Sequence, residues 1–265
     1  LSDLNKILLI ALVLAIICLL SIRMIYTYMY SKINVYEINS PDSNISTSKI
    51  DDIIKNLKVF LNANDLKIEY ANKENYQRIY QMLNKKKKTI EIPKWFMPSV
   101  GYEIDYIIAS IWFNVKLYQK DKFIKRYCLL SVLVPLLLNV LFYLFFLLSI
   151  GTLIFIYLNQ NNPEIFYANK VLTFLIDYPI FQILCLSTFI ILLINSFYIN
   201  KYKSLLESKY ESEIISFVDK SCESYKFDIA AARVHSNNFP RINFKILRFN
   251  SKTINMKYLG PFTYL

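Results

Sequence analysis

His235 is the only histidine among 265 residues, and the four cysteines, Cys18, Cys128, Cys185 and Cys222, stand far apart in the chain. A catalytic zinc site draws three ligands from His, Cys, Asp and Glu, and the His-Glu-x-x-His helix needs two imidazoles one turn apart. A single histidine excludes that helix, and no Cys-x-x-Cys pair offers a zinc ribbon or a redox couple. With only 3 glycines the chain has no phosphate-binding loop, dinucleotide turn or nucleophile elbow. The cysteines read as buried free thiols acting as small hydrophobes. His235, in an Arg-rich tail, reads as a surface side chain. Asp177 interrupts an apolar run near its start and reads as an interfacial carboxylate; a proton or ion site, with Glu164 as a second carboxylate, is the alternative. The four consecutive lysines at 85–88 read as a solvated turn, the alternative being a hold on anionic headgroups or RNA.

Apolar helices must position these groups. Hydrophobic residues make up 55% of the chain and the mean hydropathy is +0.31. Residues 7–22 are uncharged and are followed by Arg23, Tyr26, Tyr28, Tyr30 and Tyr36. An interfacial aromatic belt fits that flank better than a signal-peptide cleavage site. Residues 127–158 also carry no charge; at about 1.5 Å per residue they reach roughly 48 Å, against about 30 Å of hydrocarbon. This run must tilt, kink or protrude, with Pro135 or Gly151 as the candidate bend. The third run is 171–199. Arg23 and Lys32 follow the first span, a basic stretch precedes the second, and Lys201, Lys203 and Lys209 follow the third, so residues 31–126 and 200–265 share the basic side and the N-terminus and residues 159–170 face away. The expected fold is a mainly α membrane protein with three transmembrane helices (1–30, 127–158 and 171–199). A small α/β extramembrane segment occupies 31–126, an opposite-side loop 159–170, and a charged helix with a basic tail 200–265.

Within 31–126, the apolar spacing predicts helices over 49–62 and 102–119 and short strands at 66–70 and 89–92. Residues 200–225 read as a solvent-bordered helix whose Glu207 and Glu211 pair with neighbouring lysines. The tail from Ala230, carrying Arg233, Arg241, Lys245, Arg248, Lys252 and Lys257, shows no regular pattern; it is expected to order only against a partner or acidic headgroups. The 25 Lys, 23 Asn, 21 Tyr and 19 Phe suggest an A+T-rich genome. That balance resembles mitochondrially encoded membrane proteins of protists such as ciliates. It points to the mitochondrial inner membrane, with a bacterial plasma membrane as the alternative.

The segment Asn62-Ala63-Asn64-Asp65-Leu66, the run Ile107-Ile108-Ala109-Ser110 and Gln119 stand in an order of elements that resembles the membrane-embedded neutral zinc metallopeptidases of bacteria (the YugP-like family). The resemblance covers residues 49–213. It implies a zinc helix whose two histidines fall on Trp112 and Lys116, whose catalytic glutamate falls on Phe113, and whose later Glu ligand falls near Ser196 to Tyr198. None of these residues can serve, because a zinc-bound water needs a base and an open coordination position. The resemblance therefore implies a degenerate relative with no catalytic, metal or cofactor residues. The expected role is a noncatalytic accessory subunit of an inner-membrane complex of the respiratory chain, with other membrane subunits and anionic lipid as partners. Alternatives are a divergent core subunit of a proton-translocating enzyme, a free-standing membrane pseudo-metallopeptidase and a hydrolase using other groups. Nucleic acid is not an expected partner: the net charge of +11 follows equally from lysine-rich coding and from membrane topology.

Overall fold

With so few glycines and such long apolar runs, helix is the conformation that satisfies the backbone of most of this chain. The computed structural model describes residues 3–32, 45–71, 79–93, 99–159, 170, 173–174, 178–241 and 260–263. Three helices are long and apolar enough to cross a membrane, and a small three-stranded sheet accompanies them. The described residues fall into two compact units, one containing 3–25, 133–159 and 178–197, the other 26–132, 198–241 and 260–263.

The first unit is helical. Helix α1 (Asp3–Lys32), helix α5 (Val134–Leu158) and the apolar first half of α6 (Ile180–Ser221) contribute Leu12, Leu19, Leu138, Phe142, Cys185 and Leu192 to its core. Polar side chains in these helices fold back on their own carbonyls. Thr152 Oγ1 donates to Leu148 O at 3.0 Å, Ser187 Oγ to Ile183 O at 2.8 Å and Thr188 Oγ1 to Cys185 O at 2.7 Å. In hydrocarbon such internal pairing spares these groups from being left unsatisfied. Leu14, Val140, Leu147 and Ile190 are exposed, as a lipid-facing surface requires.

The long second run deviates where proline forces it. Helix α4 (Lys122–Cys128) passes through a π-helical turn at Leu129–Leu133 into α5. Pro135 has no N–H, and its ring excludes the carbonyl four residues back, that of Ser131. Arg241 Nη2 donates to this freed oxygen at 2.7 Å. Gly151 lies within α5 with open space where a side chain would stand.

In the second unit, Ser46 caps helix α2 (Thr47–Phe60), which buries Ile50, Ile53 and Leu57. Strand β1 (Lys67–Ala71) pairs in parallel with β3 (Thr89–Pro93), from Lys67 opposite Thr89 to Ala71 opposite Pro93. Strand β2 (Leu83–Asn84) joins the other side of β3 in antiparallel fashion, so the order is β1-β3-β2. The sequence pattern did not reveal β2, because two residues are too short to alternate. Helix α3 (Val100–Tyr118) is buried from Val100 to Val115 except at Glu103, and packs most closely against α7 (Lys226–Asn237). That approach depends on Gly101: a Cβ there would stand 2.5 Å from Asp228 O and 2.6 Å from Asp228 C. Gly101→Ala is therefore expected to destabilise this unit by about 1–3 kcal/mol, measured by chemical denaturation.

Three expectations are corrected here. The third span and the charged helix after it are one helix, α6, because no Gly or Pro interrupts 180–221. The tail from Ala230 does form core. Residues 226–237 are helical, and Phe262 returns to full burial among Trp112, Phe113 and Tyr210. Cys18 is exposed on α1 rather than buried, and Cys128 is intermediate, while Cys185 and Cys222 are buried. The lysines 245, 252 and 257, Arg248, Asp177 and Glu164 lie outside the described residues.

Candidate functional site

Two charge clusters converge on helix α3. Trp112 and Lys116 stand one helical turn apart, and both reach Glu213 of α6. Trp112 Nε1 donates to Oε2 at 2.9 Å, and Lys116 Nζ lies 2.7 Å from the same oxygen. Lys209 Nζ stands 3.9 Å from the other oxygen and 2.8 Å from Asp121 Oδ2. This i, i+4 pair grips an anion. Phe113, next to Trp112 in the chain, is fully buried against Phe262.

The second cluster lies deeper. Asp105 sits within the buried stretch of α3 with 0% of its side chain exposed. It accepts from Tyr210 Oη at 3.1 Å and from Arg233 Nη1 at 3.2 Å. Arg233 of α7 also donates through Nη2 to Glu207, and its plane lies over the Tyr210 ring at 4.8 Å and the Phe262 ring at 5.7 Å. Lys203 completes the group, 3.0 Å from Glu207 Oε1 and donating to Ser236 O at 3.2 Å. Two basic side chains thus face two carboxylates in a buried region, an arrangement that each member needs to remain intact.

In these two clusters the carboxylates are already engaged. A general base must be able to reach a substrate proton, and a metal site needs several uncommitted donors. Asp105, Glu207 and Glu213 each accept from cations or N–H and O–H donors. Among the described residues no three His, Cys, Asp or Glu gather into a metal-binding group. Cys222 is also poorly suited to chemistry, since burial pushes its thiol up to about 11.

Other residues singled out in the sequence lie elsewhere. His235 is partly buried rather than on the surface, its ring edge-on to Tyr102 at 5.5 Å and Phe239 at 4.9 Å. Glu207 is also corrected: it is buried in an ion pair and does not line a solvated face. Gln119 Nε2 donates to Leu61 O at 3.0 Å, tying the end of α3 to the turn after α2. Ser196 to Tyr198 supply no carboxylate; the carboxylates that α6 brings to α3 and α7 are Glu207, Glu211 and Glu213. Sequence reasoning overlooked Asp105, although a single carboxylate in an otherwise apolar helix signals a buried cation partner.

Asp121 links these contacts to the start of α4. It accepts from Phe123 N at 2.8 Å and Ile124 N at 3.0 Å, in addition to its pair with Lys209. Burial alone would raise its carboxyl, but the Lys209 ammonium and the two N–H groups outweigh that and hold it below the usual range. Its stabilisation is complete above the unfolded value of about 3.9 and is lost as pH falls through the lower folded value. Asp121→Ala is expected to cost about 1–2 kcal/mol at neutral pH. In denaturation curves, the gap from the parent protein should close only in strong acid.

Comparison with known protein families, with curated proteins and with solved structures finds no match to this chain.

Proposed function

We propose that this membrane protein is a noncatalytic structural subunit of a multisubunit assembly in the mitochondrial inner membrane, within the respiratory chain. The observation that carries the reading is the shared hold of Trp112 and Lys116 on Glu213. An aromatic ring and an ammonium occupy the two positions that a zinc helix gives to imidazoles, and neither group can receive a metal. The composition, rich in Lys, Asn, Tyr and Phe, supports an organellar origin. Three apolar helices, and a second unit with a well-packed hydrophobic core, suit a protein that supplies bulk and adhesion within lipid.

Blue-native electrophoresis of the source membranes in mild detergent, followed by mass spectrometry of the bands, tests this. The chain should migrate with one large assembly in fixed stoichiometry. Recovery solely as a free species would remove the proposal, as would a stoichiometric, tightly held transition metal in the purified protein.

A further inference from the structure

We infer that the lysine turn at 85–88 and the exposed face of α4 form one binding site for the headgroups of anionic phospholipid. The turn joins β2 to β3, and its shape is fixed. Lys87 N donates to Asn84 Oδ1 at 3.2 Å, Lys88 takes a positive φ of 52°, and Lys67 N donates to Lys88 O at 2.9 Å. Lys88 Nζ lies 4.0 Å from Asp65, which accepts from Tyr118 Oη at 2.8 Å, so the turn is anchored to the last residue of α3. Helix α4 begins four residues later and exposes Lys122, Lys125 and Arg126.

The level of the membrane surface is marked in the same unit. The uncharged run starts at Tyr127, directly after the exposed Arg126 of α4. Arg126 Nη1 donates to Tyr202 Oη at 3.4 Å, just past the end of the other apolar run, and Phe123 packs against Tyr202 at 5.7 Å. Tyr198 is exposed one turn earlier. Aromatic and basic side chains at the boundary of apolar helices belong to the headgroup layer. The nearby carboxylates are already engaged, Asp65 as above and Asp121 by Lys209. No ion pair among the described residues involves Lys85, Lys86, Lys87, Lys122 or Lys125. Their charge is left for an external anion held at the depth of a lipid phosphate. RNA fits less well, because the turn itself carries no aromatic ring on which a base would stack.

The test uses the full chain in nonionic detergent, with bound lipid counted by native mass spectrometry during titration with dioleoyl phosphatidylglycerol or dioleoyl phosphatidylcholine. Phosphatidylglycerol should be retained selectively. Lys85→Gln/Lys86→Gln/Lys87→Gln should weaken it about 100-fold, and Lys122→Gln/Lys125→Gln about 25-fold, at roughly fivefold per lysine. Lys55→Gln/Lys58→Gln/Lys220→Gln, an equal charge change elsewhere, should leave it unaltered. Should the first variant fail to fold by circular dichroism, the second decides. Equal retention of both lipids, equal weakening by the control variant, or unweakened binding in a folded variant overturns the inference. Displacement of the lipid by millimolar glycerol phosphate would indicate a site for free anions, and displacement by a uridine oligonucleotide one for RNA; either overturns it as well. The outcome is independent of whether the chain enters a larger assembly.

Discussion

Arg233→Ala is expected to destabilise the globular unit by about 3–5 kcal/mol. The loss has little to do with the worth of one ion pair. Arg233 reaches Asp105 through Nη1 and Glu207 through Nη2, and both carboxylates are almost completely buried. Removing the guanidinium leaves two desolvated anions, with the Tyr210 hydroxyl still on Asp105 and the Lys203 ammonium still on Glu207. Arg233→Lys is expected to recover part of this, because a single ammonium cannot occupy both positions of the fork or lie flat over Tyr210. Replacing Asp105, Glu207, Lys203 and Arg233 together with apolar residues of similar volume should cost less than Arg233→Ala alone. Chemical denaturation in detergent, followed by tryptophan fluorescence, ranks the three variants. Indistinguishable midpoints for Arg233→Ala and the parent protein would show that the cluster does not hold the unit together.

Trp112→Ala is expected to cost about 3–5 kcal/mol through the cavity it leaves. The indole is fully buried, with Tyr210 at 5.3 Å and Phe262 at 6.0 Å in edge-on contact. Trp112→Phe keeps most of that packing and removes only the donor to Glu213, for about 1–2 kcal/mol. Combining Trp112→Phe with Glu213→Gln in a double-mutant cycle should give a coupling near 1 kcal/mol. A coupling of zero would mean that Glu213 is held by Lys116 and Lys209 alone.

The membrane helices were legible because hydropathy over long windows depends on composition and not on neighbours far along the chain. The helices around Ile50 and Ile107 were legible from their spacing, as were strands β1 and β3. Helix α7 was missed. Its burial is set by contacts with α3 more than one hundred residues away, and its own sequence, with Arg233 and His235 among alanines, reads as solvated. The same distance hid the pairing of Asp105 with Arg233. Lys116 was recognised as unfit for a metal, but its partner Glu213 sits on an element whose register no local pattern specifies. The continuity of α6 was hidden by a change in chemistry: helix continuity depends on the absence of breakers, while hydropathy divides the helix at its first lysines.

Phe262 closes the aromatic cluster over Trp112 and Tyr210, and its carbonyl accepts from Tyr127 Oη at 3.1 Å. During translation it emerges roughly 140 residues after α3 is complete, which at 5–20 residues per second is about 7–30 s. Throughout that interval the ribosome presents a helix with an uncovered apolar face while membrane insertion of the later spans proceeds. Vectorial synthesis therefore gives this chain a vulnerable period, in which the face that Phe262 covers is finished long before its cover is made.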